Sequence, residues 1–468
     1  MSAPDASRGL WRTLREALAG AHGQDFTQGP IGRALLLLAI PMVLEVALES
    51  VFAVVNVFWV NRIGPEAVAV VGLTEAMFST IYALGIGLGI GATALVARRI
   101  GEKNPEGAAV VAVQAIVLGV VVSVPIALVG GFFAADLLIL MGASPAVVEH
   151  GAGFTRIFFI GNGAVLLLFL INAIFRGAGD AAVAMRCLWL ANLCNLLLDP
   201  LLIFGIGPFP EMGVEGAAVA TTVSRGLGVV YQFHRLRGRD RRFLIERRHL
   251  RVLPEVMANL VRLSATGVFQ ILIATTSWIG VVRIIASFGE AALAGYTSAI
   301  RVILFALLPA WGMSNAAATM VGQSLGAGDP ARAEAAVWRA GFYNMLFLGS
   351  VGLVFILTAP GIAALFTPDP QVAAYLVDAL RIVSAGYLFY AYGMVLANSF
   401  NGAGDTWTPT ILNVFCFWLW EIPLAWVLAV PLGFGPQGVC IAIAVAFSTF
   451  AVSSAIVFRR GKWKTKRV

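Results

Sequence analysis

Charged residues are scarce in this sequence of 468 residues. Asp, Glu, Lys and Arg make up 12% of it, whereas 59% of the residues are hydrophobic and the mean hydropathy is +0.87. An ordinary soluble domain carries about 25% charged residues, because charge keeps its surface in water. The shortage of charge therefore excludes a soluble protein and predicts an integral membrane protein.

Cysteine is also scarce, and the four present stand singly in apolar stretches, as Cys187, Cys194, Cys416 and Cys440. No two of them have the close spacing of a zinc site or a CxxC redox motif. We interpret all four as small core residues, and we predict neither disulfides nor a cofactor.

Enzymatic motifs are missing as well. The four histidines fall in loops, tails or the ends of apolar segments, as His22, His150, His234 and His249. The apolar segments contain no HExxH motif, no aspartate-rich prenyl-diphosphate motif and no Ser–His pairing. The chain is therefore predicted not to be an enzyme, and an intramembrane enzyme is the weakest alternative.

What the sequence has in abundance is apolar segments of about 20 residues, the length that a helix needs to cross a bilayer. Twelve of them are predicted as transmembrane helices, with boundaries good to a few residues. These spans cover residues 35–58, 67–94, 109–133, 152–174, 184–205, 214–233, 260–285, 293–320, 338–358, 374–400, 410–430 and 438–458.

Basic residues indicate the orientation of the chain. The loops after even-numbered spans are basic, with eight arginines between Arg235 and Arg251, and the tail from Arg459 onward has no acid. Such runs can bind nucleic acid, but in a chain this apolar they are the signal of cytoplasmic loops. We therefore expect no nucleic-acid partner, and we predict a bacterial inner-membrane protein with both termini in the cytoplasm.

An internal repeat with a constant offset runs through the chain. Six landmarks recur 225 residues later, namely Gly64 as Gly289, Gly101 as Gly326, Pro105 as Pro330, Pro145 as Pro370, Arg156 as Arg381, and the GAGD tetrad at 177–180 as that at 402–405. The repeat predicts two six-helix bundles related by pseudo-twofold symmetry, with alternating access by rocking one against the other. The predicted segments are a cytoplasmic N-terminal segment (1–30), an N-lobe (31–234), a basic linker (235–258), a C-lobe (259–459) and a basic tail (460–468).

One polar stripe is predicted in the fifth span, where Asn192, Asn195 and Asp199 share a helix face. A carboxylate at membrane depth is costly unless it is paired, protonated or in contact with water. Asp199 is therefore a functional hypothesis, and a structural hydrogen-bond anchor near the outer interface is the alternative.

A second polar stripe lies in the first span and contains Glu45, Glu49 and Asn56. Arg225 in the sixth span needs a carboxylate partner if it is buried, so we predict that it pairs with an acid of the first half. Glu421 in the eleventh span is the main deep acid of the second half. For these residues, a structural ion pair or a side chain that reaches the interface is the alternative.

Several stretches together carry a family resemblance. They are AIPMVLE and VVNVFWVNRIG in span 1, FRGAGD after span 4, NLLLDPLLIFG in span 5, GVEGAAVAT after it, and NGAGDTWTP after span 10. From about residue 30 to residue 459 the chain resembles the multidrug and toxic compound extrusion (MATE) family, whose members are all-α membrane transporters. The resemblance implies a secondary antiporter that expels cationic or amphipathic organic compounds in exchange for H⁺ or Na⁺.

The resemblance is closer to the DinF-like and archaeal branch, in which a first-lobe cluster is implicated in ion coupling. The matching positions are Asn172, Asn195, Asp199 and Thr221, with Pro41 as the bending proline of span 1. The span-1 aspartate of that branch is replaced by Asn56, an amide that cannot carry a proton. Asp199 therefore remains as the coupling carboxylate, and Glu45 or Glu49 is a candidate helper.

The NorM-like branch uses acids on spans 7 and 10, where this chain has Gln270 and Tyr390, so the resemblance does not support that mechanism. A substrate cavity is predicted to involve Gln270, Tyr390, Trp278, Met313 and Glu421, although core packing explains these residues equally well. A single carboxylate favours H⁺, because Na⁺ needs several oxygen ligands. Amide oxygens nearby keep Na⁺ at Asp199 open as an alternative.

The predicted function is thus multidrug efflux by a monomeric antiporter that moves small cationic or amphipathic molecules through the lipid bilayer. A flippase of lipid-linked saccharides in the same superfamily is the alternative. Flippases usually have more spans and a cationic cavity for pyrophosphate, whereas this sequence has twelve predicted spans and few deep cations.

Overall fold

The computed structural model describes residues 3–20, 24–238 and 243–466, and every regular element in these ranges is helical. The first helix is α1 (Ala3–Ala19), whose last carbonyls at Leu18 and Ala19 accept hydrogen bonds from Arg186 at 3.1 and 2.6 Å. A cation is favourable at that end of a helix. Residues 1–2, 21–23, 239–242 and 467–468, parts of the predicted N-terminal segment, linker and tail, lie outside the described residues.

Helices occupy all twelve predicted spans. In the first half they are α2 (Ile31–Asn61), α3 (Pro65–Gly101), α4 (Pro105–Leu140), α5 (Pro145–Ile160), α6 (Asn162–Ala178), α7 (Ala181–Ile203) and α8 (Gly213–Leu236). In the second half they are α9 (Pro254–Ala286), α10 (Glu290–Gly326), α11 (Pro330–Phe366), α12 (Pro370–Ala385), α13 (Tyr387–Gly402), α14 (Trp407–Asn413), a π-helical segment (Val414–Glu421), α15 (Ile422–Ala429) and α16 (Gly435–Arg459). Prolines begin many of these helices, where their missing N–H has no helical partner to lose.

Length and apolarity single out ten of these helical segments as able to cross a membrane, or eleven with the α12–α13 pair, which bends by 58°. The sixth predicted span, α8, is not among them. Its length of 24 residues suffices, but it combines Glu215, Arg225 and Arg235 with several glycine, serine and threonine residues, which together make it less apolar than the others.

The sequence repeat is also a repeat of helices. Helices α10, α11 and α12 begin at Glu290, Pro330 and Pro370, each 225 positions after the first residue of α3, α4 and α5. The fourth and tenth spans both break at a glycine, Gly161 and Gly386, which are again 225 positions apart. The two halves of the chain therefore share one succession of helices and breaks.

Glycines set the helix approaches and the turns that follow them. A methyl group at Gly177 would lie 2.9 Å from the backbone oxygen of Thr93, and one at the equivalent Gly402 would lie 2.2 Å from that of Ala318. Small residues of this kind let helix backbones approach closely in membrane proteins. The third residues of the two GAGD turns, Gly179 and Gly404, have φ of 86° and 81°, in the region that favours glycine.

The chain forms two compact units. Unit 1 contains the described residues of Met1–Gln24 and Leu44–Val268, and unit 2 contains Asp25–Val43 and the described residues of Phe269–Val468. The chain passes between units three times, after Gln24, inside α2 after Val43, and inside α9 after Val268. The units therefore differ from the predicted lobes at these two helix portions.

Candidate functional site

Glu45 on α2 lies in a buried polar network of unit 1. Its Oε1 accepts hydrogen bonds from Arg176 Nη1 at 2.8 Å and from Asn172 Nδ2 at 3.0 Å, both on α6. Gln232 on α8 donates in turn to Asn172 Oδ1 at 2.8 Å and to the carbonyl of Leu168 at 2.9 Å. Because Glu45 is 3% exposed, the arginine is needed to offset the cost of its burial.

Glu49, one helical turn further along α2, forms a second ion pair. Its Oε1 accepts from Arg225 Nη2 at 2.7 Å, and its Oε2 accepts from Asn192 Nδ2 on α7 at 2.7 Å. The prediction that Arg225 pairs with an acid of the first half is therefore confirmed, and the partner is Glu49. The carboxylate charge of Glu49 is already balanced by this arginine.

Asp199 lies in a different environment on α7. It is 1% exposed, and among the described residues the one hydrogen bond to its carboxylate comes from Asn195 Nδ2 on the same helix, at 2.9 Å. No arginine or lysine of the described residues pairs with it. A buried carboxylate with an amide as its sole partner keeps an unbalanced charge whenever it is ionised.

The predicted coupling cluster is brought together only in part. Asn195 contacts Asp199, but Asn172 binds Glu45 instead. Asn56 and Thr221 are half-buried, and neither makes a hydrogen bond to Asp199 in the part of the chain that the structure describes.

Pro41 is buried inside α2, four residues before Glu45. It lies within the portion of α2 that belongs to unit 2, three residues before Leu44, where unit 1 resumes. Proline removes one hydrogen bond from a helix interior, so α2 is weakened close to its passage between units. The role of Pro41 as a hinge stays a prediction.

Two functional candidates were missed from the sequence. Arg176 is the partner of Glu45. In the sequence it is one of the basic residues that follow the fourth predicted span. The available signal was its position four residues after Asn172, which places both on one helix face. Glu75, the eleventh residue of α3, is exposed although it lies well inside a spanning helix. It shares one face with Ser79 and Tyr82, which are exposed too.

The Tyr82 hydroxyl links this face to the ion pair described above, because it interacts electrostatically with Arg225, Glu49 and Glu75. A carboxylate that faced hydrocarbon would be very costly, so the exposed face of Glu75 is expected to meet water. The missed signal was a lone acid within a predicted apolar span.

In unit 2 the predicted cavity residues lie on several helices. Tyr390 stacks on Phe447 with ring centroids 4.2 Å apart, and Trp278 packs against the hydrophobic core. Gln270 is buried, and its backbone oxygen accepts a hydrogen bond from Asn413 at 3.2 Å. Met313 on α10 is half-buried. Core packing describes these contacts fully, so the substrate cavity stays a prediction.

Glu421 differs from those neighbours because it is charged. It is the last residue of the π-helical segment and is 6% exposed. Apart from the exposed Glu75, four of the acids within the described spans form two classes: Glu45 and Glu49 are paired with arginines, and Asp199 and Glu421 have no basic partner among the described residues. An unpaired buried carboxylate can be neutralised by a proton or a cation, and this is the chemistry that the arrangement offers.

Comparison with known proteins gives a consistent result. The MatE family model matches the chain twice, over residues 41–201 and 268–427, once in each half of the repeat. The chain is 27% identical to the probable multidrug resistance protein YoeA of Bacillus subtilis (strain 168), over 94% of this chain and 95% of that protein. It is 26% identical to the probable multidrug resistance protein NorM of Thermotoga maritima, over 94% of each.

The fold has a solved counterpart. A crystal structure described as MATE in the bent conformation superposes with a TM-score of 0.87, is 28% identical, and covers 93% of this chain and 96% of its own. Among the described residues of this chain, no group of three or more His, Cys, Asp or Glu side chains is placed to hold a metal ion.

Proposed function

Because the chain belongs to the MatE family of multidrug transporters, we propose that it is a secondary active antiporter that exports cationic or amphipathic organic compounds. The exchanged ion is H⁺ or Na⁺, and we favour H⁺. The protein is a multi-pass membrane protein and not an enzyme. The proposal adds that it lies in the inner membrane as a monomer, with both termini in the cytoplasm.

The observation that carries this proposal is Asp199. It is buried in a spanning helix, and its charge is not balanced by any basic side chain of the described residues. Such a group takes up an ion from the outside when the pathway opens there, and releases it when the pathway opens inward. Binding and release of the ion can thereby be coupled to outward movement of the substrate.

The proton is favoured by the small number of oxygen ligands. In the described part of the chain, one side chain lies within hydrogen-bonding distance of the Asp199 carboxylate, that of Asn195, and its amide donates an N–H to it. Hard cations in proteins are usually held by several oxygens. With Asn56 in place of the span-1 aspartate of the DinF-like branch, this chain offers one carboxylate where those relatives offer two.

Alternating access is proposed to use α2. Pro41 weakens this helix close to the point where the chain passes between units, and a solved relative has been described in a bent conformation. The proposed lobes are residues 31–234 and 259–459, with the basic segment 235–258 as their linker. Together with the match of Asn172, Asn195 and Asp199, these features favour the DinF-like branch.

Substrate recognition is proposed to involve the exposed face of α3. Glu75, Ser79 and Tyr82 present a carboxylate and two hydroxyls on one side of a spanning helix. An exposed carboxylate attracts an organic cation without being neutralised by an internal partner. The predicted cavity residues of unit 2, including Trp278 and Tyr390, supply aromatic surface of the kind that binds such cations.

The flippase alternative requires basic side chains that are free to bind pyrophosphate. Two arginines within the spans of unit 1, Arg176 and Arg225, are paired with carboxylates at 2.8 and 2.7 Å. This neutralisation favours the exporter.

The test is efflux of a fluorescent cationic dye from proteoliposomes, with a pH gradient and a sodium gradient imposed separately. We expect the pH gradient to drive efflux and Asp199→Asn to abolish it, while the variant keeps its expression and its elution volume in size-exclusion chromatography.

Glu149→Gln is the matched control, because Glu149 is an exposed acid near the start of α5. If the sodium gradient alone drives efflux, the coupling ion is Na⁺ and not H⁺. Undiminished efflux by Asp199→Asn would remove Asp199 from the mechanism.

A further inference from the structure

The proposed mechanism leaves Glu421 without a role, although its environment is as unusual as that of Asp199. Within the described part of the chain, no hydrogen bond and no ion pair reaches its carboxylate. It lies at the end of the π-helical segment of the eleventh span, next to Ile422 and Pro423. Widened turns of this type are frequent at functional sites.

The groups around Glu421 contain no cation that could balance its charge. Its carboxylate interacts electrostatically with the hydroxyls of Tyr296 on α10 and Tyr390 on α13, and with the thiol of Cys416 on its own segment. Cys440 on α16 interacts with Tyr296 in the same way. These side chains are uncharged at neutral pH, so none of them is a counter-ion.

The charged groups on α9 and α12 lie at exposed or paired positions. On α9, which packs Gly280 close to Ile422, Arg283 is exposed. On α12, Asp378 accepts a hydrogen bond from Gln437. An ionised Glu421 would therefore be an isolated charge in an apolar interior, which is too costly to persist without an ion from outside.

Glu421 and Asp199 lie in equivalent spans, although not at equivalent positions of the repeat. Both acids lie in the fifth span of their half, with Asp199 directly before Pro200 in α7 and Glu421 two residues before Pro423 in α15, and the residue 225 positions after Asp199 is Leu424. Pro200 lacks the N–H that an α-helix would pair with the carbonyl oxygen four residues earlier, and Pro423 lacks the N–H that the preceding π-helical turns would pair with the carbonyl oxygen five residues earlier. A protonated carboxyl group is a hydrogen-bond donor, and a carbonyl oxygen without an N–H partner is the kind of acceptor that it can use.

From this geometry we propose that Glu421 is a second proton-binding site, so that each unit carries one proton-exchanging carboxylate on its fifth span. This inference rests on the proposed function for its role in transport. In each cycle one proton from the outside binds Asp199 and one binds Glu421, and both are released to the cytoplasm. Since neither carboxylate has a basic partner, protonation of each removes one unbalanced charge.

The first test measures proton binding without transport. Infrared difference spectra of the purified protein between about pH 5 and about pH 9 report the carbonyl stretch of protonated carboxyl groups, a range that spans the pKa values of buried glutamates. We expect two such bands from buried groups, one lost in Glu421→Gln and the other lost in Asp199→Asn. Glu149→Gln, at an exposed position, should keep both.

Glu421→Asp keeps the test decisive if Glu421→Gln does not fold. It retains a carboxyl group, so its band should shift in frequency while the Asp199 band stays unchanged. A Glu421→Gln spectrum that matches the wild type would overturn the proposal, and so would a Glu421→Asp spectrum that shows no shift.

The second test measures stoichiometry in proteoliposomes with ethidium as the transported cation. The pH gradient at which net flux is zero gives the number of protons exchanged per ethidium. We expect two for the wild type and one for Glu421→Gln, and an unchanged stoichiometry in that variant would contradict the inference. If no pH gradient moves ethidium in the wild type, the proposed function fails, but the infrared result still decides whether Glu421 binds a proton.

Discussion

The two units are built on one pattern of helices but differ in their polar content. In unit 1, Glu45 on α2 and Arg176 on α6 form an ion pair at 2.8 Å. The residues 225 positions later are Gln270 on α9 and Asn401 on α13, both buried amides without charge. An ion pair in one half therefore stands where the other half has two neutral polar residues.

The glycines at helix breaks and close approaches, unlike this ion pair, are the same in both halves. Gly161 and Gly386 break equivalent spans, and Gly177 and Gly402 make equivalent close approaches. Both halves keep them because the helix pattern depends on them, whereas the charges vary between halves without changing the pattern. The charged residues that stand in one half only, such as Asp199 in unit 1 and Glu421 in unit 2, are therefore the ones to which we assign a specialised role.

The largest effect is expected when one partner of an ion pair of unit 1 is removed, since unit 2 has neutral residues at the equivalent positions of the Glu45–Arg176 pair. In Arg225→Gln, Glu49 loses its cation, and we expect a loss of about 2–3 kcal/mol in the free energy of unfolding, because a partly buried charged group is left without its partner. Chemical denaturation in mild detergent measures it. The double variant Glu49→Gln/Arg225→Gln should recover most of the loss, and a double variant as unstable as the single one would contradict the ion-pair explanation.

The shared framework can be tested at its glycines. Gly402→Ala places a methyl group 2.2 Å from the Ala318 backbone oxygen, so we expect a loss of about 1–3 kcal/mol, with a smaller loss for Gly177→Ala at 2.9 Å. Thermal unfolding in detergent gives the order.

Gly226→Ala on α8 is the control for the glycine series, since nothing lies within 4 Å of its added methyl group. It should be neutral or slightly stabilising, because alanine favours a helix. Equal losses in all three variants would show that close packing is not the cause.

A further variant turns the polar residues of unit 1 into those of unit 2. Glu45→Gln alone leaves Arg176 without its carboxylate and should cost about 1–3 kcal/mol, because a partly buried charged group loses its partner. The double variant Glu45→Gln/Arg176→Asn reproduces the amides of unit 2 and should be more stable than the single one. Melting temperatures of the three proteins decide this, and a double variant below the single one would contradict it.

The smallest effect is expected at the tail. Lys464 pairs with Glu334 on α11, and both side chains are about one-third exposed. A partly exposed pair contributes about 0.2–1 kcal/mol, so Lys464→Ala should lower the melting temperature only slightly. The difference should shrink further in high salt, and a large loss that salt does not change would point to a buried role of this lysine.

Much of the fold was predictable because it depends on local composition. Long apolar segments located all twelve spanning positions, and the offset of 225 located the equivalent breaks and turns. The sixth span was predicted by position, although its charges make it less apolar than the rest. The need of Arg225 for an acid was also predictable, because a buried cation requires a counter-charge.

The partners within the site were less predictable. The resemblance grouped Asn172 with Asp199, but in the structure Asn172 donates to Glu45, which also accepts from Arg176. Spacing along a helix indicates which residues share a face, but it does not indicate which face of a neighbouring helix they meet.

The sequence by itself determined that this protein crosses a membrane many times, that its halves are repeats, and that Asp199 is an acid at membrane depth. Hydrophobicity and periodicity act along the chain, so they can be recognised without coordinates. Tertiary structure decided which acids are neutralised: it pairs Glu45 and Glu49 with arginines, whereas no arginine of the described residues pairs with Asp199 or Glu421. Ion pairing acts over a few ångströms between residues that are more than a hundred positions apart, and only the packing of helices sets those distances.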